Sequence, residues 1–217
     1  DCNVAAVETN ELTAKTFSVE DAHPDWCGGC GDFGILSAVK QALAKLGRSP
    51  HEIAVISGIG CAGKLPHYIG TYGLHTLHGR ALNVATGVKV ANSKLEVLVA
   101  GGDGDGYGIG AGYLVNSGRR NVDFTYLVHN NGVYGLTKGQ FSASADVGSS
   151  ARKGGATNEI PPIDPILTAI NFGCSFVARG FSGDKTTLVP LIKAAILHEG
   201  FALLDVISPC VTFNDHE

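Results

Sequence analysis

The chain has 217 residues, a formal net charge of −4 and eight scattered histidines. It has room for one sizeable core in a single domain, and it carries no basic stripe of the kind that neutralises a phosphate backbone. No apolar run reaches the ~18–20 residues that span a bilayer, and the polar opening DCNVAAVETNELTAKTFSVED lacks a basic leader with an apolar core. Neither nucleic acid nor a membrane is an expected partner, and a cytoplasmic location is expected. Residues 1–22 read as an N-terminal tail and 23–217 as the domain, with the abrupt end at NDHE read as a trimmed C-terminus.

FGILSAVKQALAKLG (33–47) sets apolar residues at 35, 36, 39, 42, 43 and 46, one face of a helix that stops at Gly47. IAVISGIG (53–60) reads as a short buried strand. A helix near 81–92, a strand at 95–102, a helix near 108–118 and a strand at 123–130 follow. After a long connection come a helix at 164–173, a strand at 175–180, a helix at 185–200 and a strand at 201–208. Five apolar strands separated by helices predict an α/β fold with a doubly wound, mainly parallel sheet. Ligands on such sheets sit outside the carboxyl ends of the strands. The unusual residues fall there: Cys61 after the first strand, GDGDG after the second, HNNGVYG after the third and Cys210 after the fifth. Segment 136–163, rich in Gly, Ser and Ala, is long for a connection and reads as a lid, a binding loop or a linker.

Two constellations carry chemistry. In GGDGDGYGIGAGYL (101–114), glycines free the backbone to approach a ligand and a helix starts where its N–H groups can face an anion. Acidic residues at 103 and 105 distinguish this turn from the dinucleotide fingerprint, because a carboxylate beside a phosphate needs a bridging cation. Mg²⁺ would serve, taking oxygens from Asp103 and a diphosphate. The next strand end offers the Asn131 side chain and the Val133 carbonyl. The second constellation is DWCGGCGDF (25–33), a CxxC pair beside the chain's single tryptophan. It reads as a redox pair, half of a metal site or two structural thiols. The six cysteines, at 2, 27, 30, 61, 174 and 210, are too sparse for a disulfide scaffold and suit a reducing compartment. Four thiolates would suit an Fe–S cluster or Zn²⁺. Cys2 reads as a tail thiol and Cys174 as a small buried hydrophobe.

GDG at 102–104, 25 residues, then NN at 130–131 resembles the diphosphate and Mg²⁺ motif of thiamine diphosphate enzymes. WCGGCGD (26–32), GIGCAGK (58–64), HTLHGRALNVATG (75–87), NGVYGLTKGQ (131–140) and SPC (208–210) sharpen the match. Together they resemble the β subunit of 2-oxoacid:ferredoxin oxidoreductases, the 2-oxoglutarate type most of all. The resemblance implies a thiamine diphosphate-binding fold, with Asp103, Asn131 and the Val133 carbonyl on Mg²⁺ and Gly102, Gly104 and Asp105 along the diphosphate. It implies that Cys27, Cys30, Cys61 and Cys210 hold a [4Fe–4S] cluster.

The implied reaction is coenzyme A-dependent oxidative decarboxylation of a 2-oxoacid, in either direction, with electrons passing through the cluster to ferredoxin. An activating glutamate on a pyrimidine-binding domain is absent here, so an alpha subunit is the implied partner, in a heterodimer or a dimer of heterodimers. His75, His78 and Arg80 precede a helix and could reach the phosphate, the substrate or a metal, or form a structural group. Lys64 resembles a family lysine near the substrate; on physics alone it could pair with a carboxylate or coenzyme A, or be solvated. His129 reads as packing beneath the site, with Tyr134 and Gln140 flanking the loop. Zn²⁺ in place of the cluster, or a non-enzymatic electron-transfer subunit, are the competing readings.

Overall fold

The computed structural model describes residues 12–150 and 156–214; Cys2 lies outside them. In chain order the elements are α1 (Gly31–Leu46), β1 (Ile53–Ser57), β2 (Tyr72–His75), α2 (Ala81–Ala91), β3 (Glu96–Gly102), α3 (Ala111–Arg119) and β4 (Phe124–Asn130). A two-residue pair, β5 (Val133–Tyr134) and β6 (Gln140–Phe141), follows, then α4 (Pro165–Asn171), β7 (Phe176–Phe181), α5 (Lys185–Leu197) and β8 (Phe201–Ile207).

The apolar runs of the sequence become the buried middle of a six-stranded sheet in the order β2-β1-β3-β4-β8-β7, with every pairing parallel. Alternate residues of each strand face opposite sides. Val55, Leu98, Leu127 and Leu204 pack under α1 and α5, while Ile56, Val99, Tyr126 and Leu203 pack under α2, α3 and α4. Helices on both faces make the sheet doubly wound, as the alternation predicts. Local chemistry fixes the helix ends. Gly47 takes a left-handed conformation (φ 75°) that closes α1, and the Asp164 and Asp184 side chains accept backbone N–H bonds at the starts of α4 and α5.

The structure corrects three expectations. Residues 12–22 do not stand apart as a tail: Phe17 is fully buried, and Ser18 forms an antiparallel bridge with Ile69. The sheet has a sixth strand, β2, whose four residues are all exposed and so carry no apolar pattern. The helix expected near 108 begins at Ala111, because residues 104–109 form a wider turn in which Gly110 N–H donates to Asp105 O at 3.0 Å. No described helix is long and apolar enough to cross a membrane.

Candidate functional site

Parallel register gathers the chemistry at one rim. Ser57 pairs with Ala100 and His75, Gly102 with His129, and His129 with Val206, so the segments after β1, β3, β4 and β8 emerge together. Between them lies a cavity of about 250 Å³ whose lining includes Cys61, His78, Asp103, Asn131, Val133 and Gly135. Gly102, Gly104 and Asp105 also line it.

Asp103 is only 1 % exposed. Its Oδ2 accepts from the Gly132 N–H at 3.1 Å and from the Ser142 and Ser144 hydroxyls. Burial pushes its pKa above the ordinary carboxylate range, against the lowering effect of its hydrogen bonds. A buried carboxylate at the wall of a cavity is a ligand suited to a cation. The Asn131 carboxamide oxygen accepts from Val133 N–H at 3.1 Å, and its carbonyl accepts from Asn214 Nδ2 at 2.8 Å. The turn carrying Asn131 and Val133 is thereby pinned at the cavity edge.

Asp105 lines the cavity, but its carboxylate is spent on the protein. Oδ1 accepts from Ile59 N–H at 3.1 Å, from Gly79 N–H at 2.7 Å and from His78 Nδ1 at 2.8 Å. It ties the loops after β1 and β2 to the loop after β3. The surrounding glycines serve the same packing: a Cβ on Gly58 would lie 1.9 Å from Asp105 Oδ2, and one on Gly104 would lie 2.4 Å from the Tyr134 ring. Tyr134 in turn donates to Gly104 O at 3.0 Å.

The thiols gather beside the cavity, against the turn at Gly135. Trp26 explains its place beside the CxxC pair: its indole N–H donates to Cys61 O at 2.9 Å, joining the two cysteine loops. A Cβ on Gly135 would lie 3.6 Å from Cys61 Sγ and 3.7 Å from Cys210 Sγ, so the turn after β5 rests directly on two thiols. Burial, then the Asp32 carboxylate, pushes Cys30 up to about 12 and Cys61 up to about 11. Cys61 adds to the rise at Cys30, and Cys210 and Cys27 add to that at Cys61; the four thiols form one electrostatically linked group. Cys27 is its exposed member. Burial disfavours the Cys30 and Cys61 thiolates unless a positive partner offsets their charge. Among the described residues, no three His, Cys, Asp or Glu side chains converge as ligands of a single ion. Cys174 stands apart, with its Sγ against Gly118.

The remaining expected residues divide. Lys64 lines an adjoining cavity of about 520 Å³ that shares Ile59, Gly60 and Leu136 with the first. Its ammonium bonds both Asp25 oxygens at 2.9 and 2.8 Å. His75 lines that second cavity too, with Nδ1 2.8 Å from Gly63 O and 3.0 Å from Ser57 Oγ. Arg80 is not brought to either cavity: its guanidinium lies 5.1 Å above the Tyr113 ring. Gln140 sits on β6 and accepts from the Thr137 hydroxyl at 2.6 Å.

Sequence reasoning missed Asp25, Asp32, Ser142 and Ser144. The serines lie in a run rich in small polar residues, where no spacing marks them. His129 does pack beneath the site, with Nδ1 2.7 Å from Asp32 Oδ1, but its Nε2 is buried without a partner among the described residues.

The thiamine pyrophosphate enzyme family, in its C-terminal TPP binding domain, matches residues 58–206. The 2-oxoglutarate synthase subunit KorB of Archaeoglobus fulgidus is 37% identical over 187 residues, which cover 86% of this chain and 70% of that one. The chain belongs to the beta subunits of the 2-oxoacid:ferredoxin oxidoreductases. Within that family, the 2-oxoacid:ferredoxin oxidoreductase subunit beta of Saccharolobus solfataricus is 54% identical over 193 residues, 88% of this chain. The chain spans 63% of the length of that relative. A solved 2-oxoglutarate:ferredoxin oxidoreductase from Magnetococcus marinus, with 2-oxoglutarate, coenzyme A and succinyl-CoA bound, superposes with a TM-score of 0.92 at 43% identity. The match covers 96% of this chain and 71% of that one. The doubly wound parallel sheet is thus that of a thiamine pyrophosphate-binding domain.

Proposed function

We propose that this chain is the thiamine diphosphate-binding subunit of a 2-oxoacid:ferredoxin oxidoreductase and works with an alpha subunit, most plainly on 2-oxoglutarate. One observation carries the reading: a single cavity is lined by Asp103, Asn131 and Val133 and also by Cys61. The residues present fit the groups the family implies. Asp103 Oδ1, the Asn131 side chain and the Val133 carbonyl are oxygen ligands suited to Mg²⁺ on a diphosphate. Cys27, Cys30, Cys61 and Cys210 are the four thiolates suited to a [4Fe–4S] cluster. When bound, thiamine diphosphate supplies a carbanion-stabilising ring and the cluster a one-electron acceptor.

The chain's own share is to hold, orient and exclude. Asp105 locks three loops around the cavity, and the turn at Gly135 covers the thiols on that side. Water kept from the reacting carbon limits side reactions. Lys64, in the adjoining cavity, is placed to bind a substrate carboxylate by exchanging its Asp25 partner. The hydrogen bond it donates to Asp25 already favours its charged form. The activating glutamate comes from the alpha subunit. Coenzyme A takes the acyl group and ferredoxin the electrons, reversibly, in a heterodimer or dimer of heterodimers in the cytoplasm.

Iron and acid-labile sulfide after anaerobic purification test this, with electron paramagnetic resonance before and after dithionite. About four of each per chain and a signal on reduction are expected. Zinc without sulfide would overturn the ferredoxin-linked reading. In the assembled complex, Lys64→Met is expected to raise KM for the 2-oxoacid about tenfold or more, the worth of one charge-assisted hydrogen bond. Iron content should not change. An unaltered KM would remove Lys64 from the substrate site.

A further inference from the structure

The asparagine pair at the end of β4 divides between two tasks. Asn131 lines the cavity, whereas Asn130, only 7 % exposed, has its carboxamide bonded at both ends away from it. Nδ2 donates to Asp205 Oδ1 at 3.0 Å, and the carboxamide oxygen, 2.8 Å from Ser144 Oγ, shares the single hydroxyl hydrogen of Ser144 with Asp103. Ser144 Oγ also contacts Asp103 Oδ2. A continuous line of polar contacts therefore runs from Asp205 through Asn130 and Ser144 to Asp103.

Asp205 is fully buried on β8, level with Val128 of β4 and Arg179 of β7. Besides Asn130, its Oδ1 accepts from the Tyr107 hydroxyl at 2.8 Å, and its Oδ2 accepts from Arg179 Nε at 2.8 Å. A carboxylate with no exposed surface is costly, and apolar residues of similar size would fill a core at least as favourably. It lines none of the cavities that contain Asp103 or Lys64. What an ionised carboxylate does here that an apolar or amide side chain cannot is impose a direction. It only accepts, so the Asn130 amide must turn its NH₂ group toward Asp205 and its oxygen toward Ser144.

We infer that Asp205 is a positioning residue for the metal-binding end of the cofactor cavity, orienting Asn130 and, through Ser144, the carboxylate of Asp103. The inference rests on the diphosphate reading given above. An amide at 205 would present an NH₂ group to one of the three donors now converging there. Where that NH₂ group faces Asn130, the Asn130 amide turns over and Ser144 keeps Asp103 alone as its acceptor.

The test uses the complex purified with its partner subunit and stripped of metal and thiamine. Mg²⁺ is titrated at fixed, saturating thiamine diphosphate, and the rise in melting temperature is followed. Asp205→Asn is expected to need about tenfold more Mg²⁺ at the midpoint, in line with losses on disturbing groups that orient metal ligands. The full rise should return at excess Mg²⁺, and iron content should match the unaltered protein. Should Asp205→Asn fail to fold, Ser144→Ala breaks the same line at its other end and should give the same shift and the same rescue. An unchanged midpoint in a folded variant, or a loss that excess Mg²⁺ does not restore, would overturn the positioning role. A wild-type complex with no Mg²⁺-dependent rise would instead overturn the reading of the cavity itself.

Discussion

Asp103→Asn is expected to abolish Mg²⁺-dependent binding of thiamine diphosphate while leaving the metal-free fold intact. The donors Gly132 N–H, Ser142 Oγ and Ser144 Oγ all meet Asp103 on Oδ2. An asparagine must place its single oxygen there to satisfy them, which puts its NH₂ group where Oδ1 stood. A ligand then becomes a donor facing a cation. Losing a charged ligand and adding that repulsion should weaken binding at least 100-fold, about 2.7 kcal/mol. The unliganded melting temperature should hold or rise, because the variant removes a carboxylate that burial disfavours. Ligand linkage supplies the readout: the rise in melting temperature that Mg²⁺ and thiamine diphosphate give the parent protein should vanish in the variant. A full rise in Asp103→Asn would remove Asp103 from the metal site.

Asp103 was legible because two signals coincide: a carboxylate in a Gly-rich turn, and an amide pair at a spacing that places it on the next strand of a parallel sheet. The register of Gly102 with His129 turns that spacing into adjacency. β3, β4 and β8 were legible for a related reason. Their residues are buried on both faces, so each reads as a mostly apolar run. β2 fails that test, since Tyr72, Gly73, Leu74 and His75 are all exposed at the sheet edge and only pairing with β1 makes them a strand. Phe17 was equally silent, because one aromatic in a polar stretch does not announce a buried neighbour at Ile69.

The polar groups around the site are hidden for a different reason. Asp205 lies inside an apolar strand, where a single acid reads as an interruption, and its partners Arg179 and Asn130 come from two other strands. Asp105 shows what spacing leaves out. Its position in the motif suggested contact with the diphosphate, but three donors from the protein occupy one of its oxygens. Spacing reports where a residue sits along the rim, while the direction of its side chain depends on donors that come from elsewhere in the chain.

Cys61→Ser should separate iron binding from thiamine diphosphate binding. Cys61 is half-buried, lines the cofactor cavity and is linked electrostatically to Cys27 and Cys210. Its loop is held by a backbone acceptor, the bond from Trp26 to Cys61 O, which a change of side chain leaves in place. Serine therefore deletes a thiolate ligand without deleting the support of the loop. A hydroxyl is a hard, weakly acidic ligand that substitutes poorly for a soft thiolate. Iron and sulfide should fall to well under half of the parent content, and the signal that appears on reduction should be lost. The Mg²⁺-dependent rise with thiamine diphosphate should persist, since Asp103 and Asn131 keep their own partners. Cys174→Ser, at a thiol packed against Gly118 and away from this group, should leave iron unchanged. Full iron in Cys61→Ser would remove Cys61 from the ligand set. Loss of thiamine diphosphate binding together with iron would mean that the thiol group also shapes the cofactor site, and that the two form one cooperative unit.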